Sequence, residues 1–96
     1  MINRLQDWEK FNLQMYQHIE KYTKAQYDNP DGNDQVENWT SEDCMQAIKK
    51  YLARFKRNSR GDLEQLRDMF KIAHYAQLAY NKLKRELDVG KDIYEK

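Results

Sequence analysis

The chain has one cysteine, one proline and three glycines in 96 residues. One cysteine, Cys44, rules out an intrachain disulfide and fits a reducing cytoplasm. So little proline and glycine leaves few places to turn, which points to long helices joined by few loops. No apolar run approaches the roughly 18 residues of a membrane span, and no signal-peptide core opens the chain. The expectation is a cytoplasmic protein with no membrane partner. Also missing are a glycine-rich phosphate loop, a CxxC pair and a Ser/His/Asp order, so no reaction is identified. A chain of this length makes one domain, residues 1–96, close to the lower limit for a self-sufficient core.

What is present is charge, 34% of the residues, against roughly 25% in ordinary soluble domains. The net value of +1 conceals a segregation. Asp28, Asp31, Asp34, Glu37, Glu42 and Asp43 follow one another with no basic residue between them. Lys49, Lys50, Arg54, Lys56, Arg57 and Arg60 then follow with no acidic one. With a pI near 7.8, any pull toward an anion must be local to that second stretch.

Apolar spacing predicts helices over about 2–27, 41–57 and 62–88. In the first, Leu5, Trp8, Met15, Ile19 and Tyr22 alternate at three and four residues, with Asn12 in the one polar slot. Phe11 and Tyr16 widen that face, and Leu13 points elsewhere. Pro30-Asp31-Gly32-Asn33 reads as a turn inside an acidic loop, 28–39, whose apolar members are Val36 and Trp39. Thr40 or Ser41 caps the second helix, with Glu42 and Asp43 at its positive end. Its stripe is Cys44, Met45, Ile48, Tyr51, Leu52 and Phe55. Asp62 reads as the cap of the third helix. There Leu66, Met69, Ala73, Ala76, Tyr80, Leu83 and Leu87 keep a strict heptad alternation. Residues 91–96 form a tail.

At 1.5 Å per residue the outer helices are about 40 Å long and the middle one about 24 Å. A short rod cannot cover two long ones. Either the 28–39 loop folds back, anchored by Trp39 and Val36, or a second copy completes the bundle. We favour a homodimer, with Leu5, Trp8, Asn12, Met15, Leu66, Ala73, Ala76, Tyr80 and Leu83 as the interface. A polar seam residue such as Asn12 can fix register, or simply face water.

Three chemistries can be weighed on these residues. The basic run forms a helix face able to neutralise phosphates, although Tyr51 and Phe55 sit on the apolar stripe and leave no aromatic for base stacking. The competing account is a solvated face balanced by the acidic loop. The loop fails as a calcium site: with Gly32 at the glycine position, Tyr27 and Asn38 occupy two essential ligand positions. The carboxylates Glu64 and Asp68 share their face with Arg67 and Lys71, which suits ion pairs better than metal. His18 and His74 flank apolar faces without ligand partners at metal spacing, and Cys44 reads as buried and inert. No cofactor or metal is expected.

The segment Ala47-Ile48 followed by Lys50-Tyr51-Leu52-Ala53-Arg54, with Asp62-Leu63 after a short loop, resembles a family of small phage proteins with an Ala-Ile-Lys-Tyr-Ile-x-Arg … Asp-Leu helical hairpin. That family includes a viral nucleotide kinase. The resemblance implies a phage or prophage origin and a nucleotide ligand. It spans a third to a half of the chain, and this sequence departs from it by doubling the lysine and lengthening the third helix.

The expectation is therefore an all-α bundle of three helices, acting as an interaction module that binds a macromolecular partner through the 49–60 face. The alternatives are nucleotide handling by the same cations and sequence-blind nucleic-acid binding.

Overall fold

The computed structural model describes residues 3–27, 35–57 and 59–94, with backbone only at 23–27 and 35. Among these residues the architecture is three α-helices with no strand: α1 (Asn3–Tyr27), α2 (Ser41–Ala53) and α3 (Asp62–Glu86), with a short 3₁₀ turn at Gln35–Asn38. The Pro30–Asn33 turn and the acids Asp28, Asp31 and Asp34 lie outside the described residues. The chain divides into two compact units, 1–34 and 35–96.

In the first unit, α1 has the expected length. Met15 is buried and Phe11, His18 and Ile19 are half-buried, whereas Leu5, Trp8 and Asn12 are exposed. Trp8 packs on Phe11 at 5.4 Å between ring centroids, and His18 on Tyr22 at 4.5 Å. These are neighbours three and four residues apart on one helix face. Tyr16 is exposed rather than part of that face.

The second unit is a helical hairpin. Thr40 caps α2: its hydroxyl accepts from the Asp43 amide at 3.2 Å, and the Asp43 carboxylate accepts from the Thr40 amide at 2.9 Å. Two otherwise unpaired amides are satisfied reciprocally, a capping box. The helix ends at Ala53, four residues before the expected end, because Phe55, Lys56 and Arg57 are all exposed and packing cannot extend it. Lys56, at φ 62°, then turns the chain in a left-handed conformation.

Gly61, not Asp62, occupies the cap position of α3, at φ 101° and ψ 175°, a region open to glycine alone. Asp62 is the first helical residue, and its charge meets the positive end of the helix. The other end closes in a Schellman motif: the Val89 amide donates to the Lys84 carbonyl at 2.9 Å and the Asp88 amide to that of Arg85 at 3.1 Å. Asp88 sits at φ 55°, where glycine usually stands.

The expected α2 stripe forms the hairpin's contact in part, through Cys44, Ile48 and Tyr51, and the α3 stripe is displaced from it. On α2 the buried residues are Ser41, Cys44 and Ile48, while Met45 and Leu52, and Phe55 in the turn that follows, are exposed. On α3 they are Asp68, Ala79 and Lys82. The ends of the heptad seam face outward: Leu66 is 60% exposed, Tyr80 43%, Leu83 45% and Leu87 64%, while Met69 and Ala73 between them are half-buried. The physical reason is that α2 docks one heptad face away, where charged partners and flat rings meet.

Candidate functional site

Four sets of contacts fasten the hairpin, and each uses polar or aromatic groups. At the turn, the Arg54 guanidinium grips Asp68 with both ends of its fork, Nε to Oδ2 at 2.8 Å and Nη2 to Oδ1 at 2.5 Å. The Asp68 side chain is 4% exposed, so this is a charge pair largely out of water. Lys71 stands beside it, 2.8 Å from Glu64 and 3.6 Å from Asp68, and Arg67 reaches Glu64 at 3.2 Å. The Lys71 bond, then the Arg67 bond, holds the Glu64 carboxyl below its usual range.

A column of flat groups continues from there. The Arg54 guanidinium lies 4.9 Å from the Tyr51 ring centre, and the Lys71 and Lys50 ammoniums lie at 5.6 and 5.8 Å. A ring crowded by cations is a cation–π site, worth more where water is excluded. Tyr51 stacks on Tyr75 at 6.1 Å, and Tyr75 on Trp39 at 6.0 Å. Trp39 thus anchors the end of the 28–39 loop on α3, the arrangement weighed above as the alternative to a second copy. Burial pushes the neighbouring His74 imidazole down from its ordinary pKa.

At the far end, Glu86 accepts from the Ser41 hydroxyl at 2.6 Å and from the Ser41 amide at 2.9 Å. Those bonds hold its carboxyl below the usual range. The buried Lys82 ammonium donates to the Glu37 carbonyl at 3.3 Å, tying the 3₁₀ turn to α3. Between the two ends lies Cys44, fully buried, with burial raising its thiol pKa. A thiol so placed is a poor nucleophile.

The predicted binding residues therefore separate. Lys49 and Lys50 are exposed on α2, and Lys56, Arg57 and Arg60 are exposed in the turn that follows. Arg54 is half-buried against Asp68 and does not belong to that outward set. Asp43 and Glu42 lie at the other end of α2, about 16 Å from Arg54 at 1.5 Å per residue, too far to neutralise the turn. Of the predicted interface residues, Leu5, Trp8, Asn12, Leu66, Ala76, Tyr80 and Leu83 are exposed, Ala73 is half-buried and Met15 is buried. Sequence reasoning missed the pairing of Arg54 with Asp68 and of Ser41 with Glu86. The available signal is a second heptad face on α3, Asp68, Tyr75, Ala79, Lys82 and Glu86, which is polar and so reads as solvated.

Among the described residues no three His, Cys, Asp or Glu side chains converge as a metal-binding group, and no helix is long and apolar enough to cross a membrane. What the site defines is a helical hairpin with a charged inner seam, an apolar outer seam and a basic turn. Compared with known protein families, curated proteins and solved structures, the chain matches none.

Proposed function

We propose that the protein is a cytoplasmic helical interaction module that self-associates through its apolar faces and offers the basic turn to an acidic macromolecular partner. One observation carries this reading. Ion pairs, hydrogen bonds and stacked rings supplement a small apolar core of Cys44, Ile48 and Ala79, and several large apolar side chains at the two ends of α3 remain exposed. Leu63 and Leu66 at the start of the helix, and Tyr80, Leu83 and the capping Leu87 at its end, are exposed. Clustered exposed apolar residues of this kind mark interaction surfaces. Small chains commonly complete a thin core by association.

Sedimentation velocity over a range of concentrations tests the first half. A species of twice the chain mass is expected at high concentration; a monomer throughout ends the proposal. For the second half, replacing Lys49, Lys56, Arg57 and Arg60 with glutamine should weaken partner binding while leaving the association constant unchanged. Nucleic-acid binding by the same cations is the competing reading, favoured by the clustering of exposed charge at one turn. It requires affinity for duplex DNA that falls steeply as salt rises, and absence of binding at low salt removes it. Nucleotide handling, the remaining alternative, requires a saturable rise in melting temperature with nucleotide and magnesium.

A further inference from the structure

We infer that the turn between α2 and α3 binds single-stranded nucleic acid, with phosphates on Lys49, Lys56 and Arg57 and a base stacked on Phe55. This rests on the proposal that the basic turn meets an acidic partner, and it names the class of that partner.

Apolar spacing places Phe55 on the covered stripe of α2, which leaves no ring for a base. The structure reverses this. The helix stops at Ala53, Phe55 falls in the turn beyond it, and its side chain is 55% exposed. Leu52, also exposed, stands three residues before it, and the Phe55 amide donates to the Leu52 carbonyl at 3.2 Å. A phenyl ring offers a partner no hydrogen bond. What it offers is a π-face, and every nucleobase has one to set against it. The Lys56 ammonium stands 5.5 Å from the ring centre. A base stacked on Phe55 therefore brings its own phosphate beside a cation.

The charge around that ring is not cancelled within the hairpin. Arg54 is bonded to Asp68, and Lys71 and Arg67 to Glu64, so those two acids already have cations of their own. Asp62, the first residue of α3, faces the positive end of its helix. Lys49, Lys56 and Arg57 are exposed, and among the described residues no carboxylate pairs with them. Lys50 turns instead toward the Tyr51 ring at 5.8 Å, and Arg60 has a contact of its own. Glu86 lies about 27 Å along α3 from Asp68 at 1.5 Å per residue, and Asp88 follows it, both beyond the screening length of physiological salt.

The ring also selects among polyanions. A duplex hides the faces of its bases in its own stack, so Phe55 favours a single strand. A lipid surface would attract the same cations. Burying the ring below the headgroups would drag the Lys56 ammonium with it, whereas a stacked base leaves that ammonium at the level of the phosphates.

Fluorescence anisotropy with the full chain and a labelled short oligothymidylate tests this. The comparison set is an abasic strand of equal length, a duplex, polyglutamate and phosphatidylserine vesicles. The oligothymidylate should bind at low salt, with log affinity falling against log salt at a slope of about −2 for three phosphates. The abasic strand should bind about 5- to 150-fold more weakly, the range for one stacked base. Phe55→Ser should bring the oligothymidylate down to the abasic level and leave abasic binding unchanged. Its circular dichroism should match wild type, since Phe55 lies outside α2. Lys49→Gln, Lys56→Gln and Arg57→Gln together should weaken both strands alike. Equal binding of the two strands, tighter binding of the duplex or of vesicles, or no binding of the oligothymidylate at low salt overturns the inference. If polyglutamate still binds in any of those cases, the proposal of an acidic partner stands. Failure of every polyanion ends both.

Discussion

Two residues with positive φ close the ends of α3, and substituting them should move stability in opposite directions. Gly61 stands at φ 101° and ψ 175°, with nothing within 4 Å of where a Cβ would be. Gly61→Ala therefore meets no steric neighbour, and its cost is backbone strain alone, about 1–3 kcal/mol for a non-glycine residue in that region. Asp88 stands at φ 55° with an L side chain, a conformation that costs about 1–2 kcal/mol without glycine. Its carboxylate also faces the negative end of α3, about 0.3–1 kcal/mol unfavourable at an exposed site. Asp88→Gly removes both terms, against about 0.5–1 kcal/mol for the extra freedom of glycine in the unfolded chain. The net is a gain of about 1 kcal/mol. For a unit the size of residues 35–96, that raises the melting temperature by about 4–8 °C. Thermal unfolding followed by circular dichroism at fixed concentration measures both variants. Asp88→Asn, which loses only the charge, should fall between wild type and Asp88→Gly. If Asp88→Gly melts below wild type, or Gly61→Ala melts with it, the backbone geometry assigned to the two ends of α3 is wrong.

The inner seam gives three further expectations. Asp68→Ala should lower the melting temperature more than Asp68→Asn, since asparagine retains an acceptor for Arg54, and the double change Arg54→Met with Asp68→Leu should recover most of the loss; a double variant no better than Asp68→Ala argues against a buried pair. Glu86 and Glu64 are held below the ordinary value of 4.5. Their contribution is therefore full above that pH, falls below it and is gone once pH passes the lowered folded value. Glu86→Gln should flatten that acid limb of the melting curve, and an unchanged limb would dismiss the Ser41 contact. Alkylation of Cys44 should be slow in the native protein and fast in denaturant, whereas rapid native labelling would show that α2 opens readily.

The helices themselves are legible in the sequence because apolar spacing at three and four residues is a local signal. Trp39 is legible for a similar reason, as an isolated large ring in a polar loop. The orientation of the hairpin is not. An apolar stripe shows which face avoids water, but it does not say whether a neighbouring helix or a second copy covers that face. On α3 the two faces lie one heptad step apart, and the choice between them is made by pairs distant in sequence, Arg54 with Asp68 and Ser41 with Glu86. Asp68 and Glu86 do fall on a heptad face, but a polar one that reads as solvated, and nothing local names their partners on α2. The spacing carries α3 two residues too far because Gly90 is the obvious stop, whereas Asp88 adopts the left-handed conformation. The early end of α2 at Ala53 reflects lost packing beyond Arg54, which no propensity scale records.

The central proposal is that the exposed apolar residues of α3, which the hairpin's own contacts leave uncovered, meet a second copy. Sedimentation equilibrium of Leu66→Glu and Leu83→Glu, beside Met45→Glu and Leu52→Glu on the outer ridge of α2, tests it most directly. Either seam change should yield a folded monomer, and the α2 changes should leave the dimer intact. Loss of the dimer in the α2 variants, with the seam variants unaffected, would contradict the claim.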